Sequence, residues 1–534
     1  MATQMLDEST PPISESEPPV LQEGTDSSEG VCHIHKLPAE LLTSIFQTLL
    51  SPSKPFFPDA GIDDDFILPS ELMVANSVCR SWRECLLNTS WFWRKVIVVN
   101  HVEWLETCLK RSGQHPVDLA FYRAPKFVES SCLLFDNVKR IHTLGLDETD
   151  DVALDLLDTL LKAPMSALED LRVRAYESSS RRQCFGDEEL YALPAIRRVY
   201  LEYASVDWRS AAVQRLRKIT VRDWESYNQH LTTMDFLRCL DGCRNLEELT
   251  LDVALPVSRC VQELDDSEEP PPVARLPNLR QLTLLCQASG LEPDVYHLLS
   301  HMRLPLRCDI HLYVQVDDED DELPDDFLDH IPCDTSCLPI LGAATSAEVM
   351  SMAFSCTVDG GGSLWFNADH TWFGPERERP PHAPGEQYLD GFCTLFARAP
   401  LAHLTVDGCD WPVSAWLELF RTFPQLSRLT IEGSPRQVAT ALSALRDEDV
   451  VLPNLRILDV RKSRWEPELL DLIALCLQFR AAHGTKALAR LEVDMVGRNQ
   501  EDHDVQLMHE KSLQLLRSLV TETVVYKDTN GDGR

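Results

Sequence analysis

One short apolar pattern recurs along this 534-residue chain and constrains its fold more than any other feature. It reads Leu168-x-x-Leu171-x-Val173, Ile196-x-x-Val199-x-Leu201, Leu216-x-x-Ile219-x-Val221, Leu246-x-x-Leu249-x-Leu251 and Leu279-x-x-Leu282-x-Leu284. After a gap it resumes as Leu401-x-x-Leu404-x-Val406, Leu426-x-x-Leu429-x-Ile431, Leu455-x-x-Leu458-x-Val460 and Leu488-x-x-Leu491-x-Val493, and Ile141-x-x-Leu144-x-Leu146 is an earlier copy. The central residues 171, 199, 219, 249 and 282 lie 28, 20, 30 and 33 residues apart, and 404, 429, 458 and 491 lie 25, 29 and 33 apart. The end of each copy alternates as a short strand does, with apolar side chains inward and Arg, Glu or Thr outward. Between copies, residues 151–162, 414–423 and 468–483 carry an apolar period of 3.6, the last closed by Gly484 at a C-cap position. A strand, a turn and a helix returning every 20 to 33 residues predict an α/β chain built as a stacked parallel-sheet solenoid.

The copies resemble leucine-rich repeats. They depart from that family where an Asn or Cys is expected after the strand, since Ala254, Gln287, Ser434 and Ser463 stand there. The resemblance therefore implies an irregular solenoid rather than a regular horseshoe. Residues 313–400 carry the pattern weakly. Val349, Met352 and Phe354 suggest one strand there, and Gly360-Gly361-Gly362 and the prolines of 375–384 suggest turns and a long loop.

A second feature precedes the repeats. Residues 37–50 place Leu41, Leu42, Ile45, Phe46 and Leu49 on a wide helical stripe, with Pro38 in the first turn. Residues 71–87 form a second helical stretch containing Val78-Cys79-Arg80-Ser81-Trp82-Arg83, and Trp91 and Trp93 follow. So small a helical unit cannot bury all these groups alone, so some of its surface must meet a neighbour.

Leu37-Pro38-x-Glu40-Leu41-Leu42-x-x-Ile45-Phe46, then Val78-Cys79-Arg80-x-Trp82 and Trp91/Trp93, resemble an F-box. The resemblance covers roughly residues 35–97, and both halves occur in order. It implies a three-helix module that docks on a Skp-type adaptor joined to a cullin scaffold, while the repeats hold a protein substrate for ubiquitylation. The residues it points to for adaptor binding are Leu37, Pro38, Glu40, Leu41, Leu42, Ile45, Phe46, Val78, Cys79 and Trp82, at the interface or supporting it. This chain departs from the family in a proline-containing insertion, residues 51–70, read as a surface loop because closure cost grows slowly with length.

The resulting organisation is an acidic tail over 1–31, read as disordered, and an F-box-like helical module over 32–98. A leucine-rich-repeat-like solenoid follows over 99–500 with an irregular insert around 313–400, then a C-terminal helix and polar tail over 501–534. Lys and Arg number 50 against 85 Asp and Glu, a net charge of −35. That balance argues against nucleic-acid and anionic-membrane partners and for steering of basic ones. The acidic runs 263–269 and 317–326 read as solvated loops. No secretory leader or apolar span is evident, and the 17 cysteines read as mostly buried thiols in a cytoplasmic or nuclear protein.

Residues 528–534 imitate the first half of an EF-hand loop but stop before the bidentate position. Cys32, His33 and His35 have no partner pair at zinc-finger spacing, and His509-Glu510 lacks the second His of a zinc protease. No phosphate-binding glycine motif or nucleophile–base arrangement is present. The expectation is a non-catalytic receptor without metal or cofactor. Two other readings stay open here: a repeat scaffold that recruits no ligase, and an enzyme whose site lies in 313–400.

Overall fold

A computed structural model describes residues 37–50, 69–99, 101–176, 184–186, 190, 193–222, 233–252, 272–288, 294–316, 327–350, 353–369, 385–447, 450–464, 466–496 and 503–529. The acidic tail, residues 51–68 of the 51–70 insertion, both acidic runs, the Cys32/His33/His35 cluster and the end of the EF-hand-like segment lie outside these residues; Pro69 and Ser70, read as the end of a loop, instead begin a helix.

The described chain is mixed α/β, with fifteen α-helices and one 17-stranded sheet. From Lys95–Val98 to Asp309–Val316 the strands of this sheet lie side by side in chain order, all parallel. From His403–Asp407 to Thr523–Thr529 they again follow in order and in parallel. Register explains the sequence pattern. Leu144, Leu171, Val199, Ile219, Leu249 and Leu282 are successive cross-strand neighbours, as are Leu404, Leu429, Leu458 and Leu491. Every apolar residue of the ten copies is buried. Each copy therefore adds one rung to a continuous apolar ladder, the arrangement that removes most apolar surface from water.

Helices cover this apolar face. Asp151–Leu161 turns Ala153, Leu154, Leu157 and Leu160 inward, and the Asp150 carboxylate caps it by accepting from the Ala153 amide at 2.8 Å. Ser434 caps Pro435–Ala444 through the Gln437 amide at 3.2 Å. Pro467–Ala482 ends where Gly484 takes φ +76°, a conformation that favours glycine.

The weakly patterned region continues the sheet. Ser346–Met350, Ala353–Thr357 and Ser363–Asp369 join its two halves, and Ala353–Thr357 pairs antiparallel on both sides. The single strand expected over Val349 and Phe354 is thus two strands, with these residues directly opposite each other. They are an odd number of positions apart, so one straight strand would send them to opposite faces; a reversal buries both. Met352 lies outside the described residues. Phe354 centres an aromatic cluster, with ring centroids 4.9 Å from Phe327, 5.6 Å from Phe366 and 5.5 Å from Phe396.

Cys108, Cys243, Cys308, Cys356, Cys409 and Cys476 are buried thiols, and burial pushes Cys308 and Cys356 up to about 12. In the native protein at neutral pH, a thiol-reactive probe should modify exposed Cys132 much faster than these. Time-resolved labelling with peptide mapping checks this, and equal rates at Cys132 and Cys356 would contradict it.

Candidate functional site: an apolar helical surface and a polar sheet face

The first site is built on three helices: α1 (Ala39–Leu49), α2 (Pro69–Val78) and α3 (Arg80–Asn88). Pro38 stands immediately before α1 with φ −55° and ψ 150°, and its carbonyl accepts from the Leu41 and Leu42 amides at 3.1 Å each. The helix expected over 71–87 is broken at Cys79. That residue is extended, with φ −158° and ψ 169°, and its Sγ accepts from the Trp82 amide at 3.5 Å to start α3. A short-side-chain acceptor at this position supplies the cap that a continuous helix would not need.

Packing divides the apolar residues of α1 into two stripes. Leu42, Phe46 and Leu50 point inward, and the Phe46 ring meets Trp82 at 4.7 Å and Phe92 at 6.1 Å between centroids. Leu41, Ile45 and Leu49 form the adjacent stripe, spaced four residues apart on one helix face. Leu41 and Leu49 are more than half exposed, and Ile45 is half-buried. On α2, Leu72 and Ala75 are buried while Met73, Val74 and Val78 are more than half exposed.

The residues singled out by the F-box resemblance therefore fall into three groups. Pro38, Glu40, Leu41 and Val78 are exposed; Leu37, Ile45, Cys79 and Trp82 are half-buried; Leu42 and Phe46 belong to the core. Met73 and Val74 join the exposed group without having been singled out. Their signal was the run Leu72-Met73-Val74, which no helix can turn wholly inward.

The module continues into the sheet without a break. The Trp93 indole donates to the Leu86 carbonyl at 2.8 Å, its ring lies 5.6 Å from Trp104, and the Arg111 guanidinium sits 4.6 Å from the ring centroid. Lys95–Val98 then forms the first strand.

The second surface is the sheet face turned away from the apolar ladder. Its residues alternate with those of the ladder and are mostly polar, apart from an apolar pair, Ile97 and Ala120, near its start. Asp170 is almost wholly buried there, held by Arg172 at 2.9 Å and Arg198 at 3.3 Å. Burial pushes Asp170 up to about 6, with the Arg198 charge pulling the other way, and burial pushes Arg172 down to about 10. Asp118 lies 2.8 Å from His142. This bond raises the His142 pKa, while burial opposes it. Around Asp118, burial acts upward but is outweighed by the bonds from His142 and Thr143, and the net shift is down. At the strand-entry edge, Arg197, Arg198, Arg217 and Lys218 line a cavity of about 610 Å³ together with Glu247 and Glu248. Arg217 and Lys218 are paired to those glutamates.

These groups are joined into ion-pair networks, and none forms a nucleophile–base pair. Among the described residues no group of three or more His, Cys, Asp or Glu is placed to hold a metal ion, and no helix is long and apolar enough to cross a membrane. No protein-family model matches this chain, and no curated protein matches it.

Proposed function

We propose that the chain is the substrate-recognition subunit of a cullin-type ubiquitin ligase. Its F-box-like module binds a Skp-type adaptor, and a leucine-rich-repeat-like solenoid holds a protein substrate. The observation that supports this best is the division of α1, in which Leu41 and Leu49 remain in water beside a stripe that is buried. Exposed apolar stripes on a short helical module mark a partner interface. They start at the Leu37-Pro38 turn, where the F-box resemblance puts adaptor contact. The ladder of buried leucines supports the repeat reading.

In this role the chain performs no bond chemistry. It works by proximity, raising the effective concentration of a substrate lysine near a conjugating enzyme carried by the cullin scaffold. The reading places it in the cytoplasm or nucleus.

The test is co-purification of the full chain with a Skp-type adaptor, beside a Leu37→Ala/Pro38→Ala variant. The expected result is stoichiometric capture by the parent and loss in the variant. A folded parent that captures no adaptor would remove the ligase reading and leave a repeat scaffold that recruits no ligase.

A further inference from the structure

The polar sheet face changes character where its two parallel halves are joined. On Asp309–Val316, Ile310, Leu312 and Val314 point into the core, which turns His311 and Tyr313 outward. On the neighbouring Ser363–Asp369, Leu364 and Phe366 point inward and Trp365 outward, opposite His311 in register. Trp365 is 39% exposed and Tyr313 36%. Elsewhere on this face the rungs are mostly Thr, Arg, Lys and carboxylates, and Tyr200 is buried there, so a tryptophan facing water stands out.

The row through Trp365 then runs across Ser355, Glu348, Thr405, Thr430 and Asp459, direct cross-strand neighbours in turn. Two strand spacings put Glu348 about 10 Å from Trp365. Asp407 is the next outward residue beyond Thr405, and Glu432 is its register partner. Burial and the neighbouring Glu432 and Asp407 carboxylates hold Glu348 above the ordinary glutamate range, with the Lys462 charge pulling the other way. Glu432 is engaged by Lys462 at 2.6 Å and Arg461 at 3.5 Å, whereas Glu348 and Asp407 have no ion pair among the described residues. At the end of the row, Asp459 is fully buried. Its Oδ2 takes Arg428 at 2.6 Å, and its Oδ1 has no donor among the described residues.

We infer that this aromatic and acidic stretch of the sheet face, centred on Trp365, Tyr313, Glu348 and Asp407, docks a Lys/Arg-containing extended segment of a protein partner. Charge complementarity selects this occupant. Glu348 and Asp407, which share the Lys462 charge with Glu432 but have no ion pair of their own among the described residues, attract a further cation, and a partly exposed indole two strands away binds the same kind of group through its quadrupole. The net charge of −35 steers basic segments toward the molecule from a distance. An acidic segment has the weaker claim, because two of the cations in the strand-entry cavity already have glutamate partners. As the substrate seat of a ligase receptor this surface rests on the proposed function above; as a docking surface it stands without it.

The test is fluorescence anisotropy of the full chain with a labelled oligo-arginine peptide and, separately, a labelled oligo-glutamate peptide. Trp365→Ala should weaken oligo-arginine binding on the order of tenfold, and Glu348→Gln/Asp407→Asn by a similar factor at low salt. A matched control, Glu103→Gln/Glu106→Gln, removes two exposed carboxylates from the helix Val102–Arg111 and should change binding by less than about twofold. Circular dichroism melting of each variant confirms folding, and the carboxamide pair keeps the shape of the side chains it replaces. Three outcomes would overturn the assignment: parent-like binding by either site variant, an equal loss in the control, or tighter binding of oligo-glutamate. Adaptor capture is measured on the same preparations. Peptide binding that survives while adaptor capture fails would sink the ligase reading alone, and the reverse would sink this surface alone.

Discussion

Leu41→Asp should lower affinity for a Skp-type adaptor about 100-fold while leaving the thermal unfolding midpoint of the chain where it was. Leu41 is 52% exposed, so a carboxylate there stays hydrated in the free protein, and surface changes of this kind shift stability by no more than about 0.5 kcal/mol. In the proposed complex the same position would be desolvated at the centre of an apolar contact, where a truncated or charged anchor costs several kcal/mol. Titration calorimetry with purified adaptor gives the affinity, and a melting curve gives the stability. Unchanged affinity would remove Leu41 from the interface.

Phe46→Ala separates interface from support. Phe46 is fully buried against Trp82 and Phe92, and removing such a ring costs about 3–5 kcal/mol in folding. Adaptor capture should fall in this variant too, but together with a lowered melting point. A variant that lost capture without losing stability would mean that Phe46 faces the partner.

This division was not legible in the sequence. Leu41, Leu42, Ile45, Phe46 and Leu49 read as one wide stripe, because successive helix positions differ by a fixed angle and the core side adjoins the partner side. Only the packing of Phe46 between Trp82 and Phe92 separates them. The sheet was far more legible, since parallel strands buried on one face need an apolar residue at each rung and the ladder repeats that demand. Even so, several rungs escaped notice. Val96 and Leu119 extend the ladder before Leu144, Ile310 and Leu364 extend it after Leu282, and Val524 follows Leu491. Four of these lack the leading apolar residue three positions earlier, where Pro116, Arg307, Gly361 and Thr521 stand. That leading residue packs outside the strand, so other contacts can replace it without disturbing the rung. The hairpin at Val349 and Phe354 was hidden because its signal is one of parity, which a window centred on a single strand does not register.

Asp170→Ala should destabilise the chain by about 3–5 kcal/mol at neutral pH, because it leaves the Arg172 guanidinium buried without its carboxylate. Arg198→Ala, which removes the other partner, should cost less than about 1 kcal/mol, since that side chain is 43% exposed and water competes for the pair. Burial pushes Asp170 up and Arg172 down, so both shifts oppose the charged forms, and desolvation outweighs attraction for each. A double replacement by apolar residues, Asp170→Leu/Arg172→Met, should therefore recover all or most of the stability lost in the single variant. The pH profile carries the same sign. Folded Asp170 titrates near 6 against about 3.9 for an unfolded aspartate, so the folded form binds the proton more tightly. This residue's contribution to stability should grow as pH falls from about 7 to about 4, and the double variant should lack that slope. Urea unfolding of the four proteins across this range measures both effects. A double variant as unstable as Asp170→Ala would mean that the ion pair, rather than the space it fills, holds this part of the sheet face.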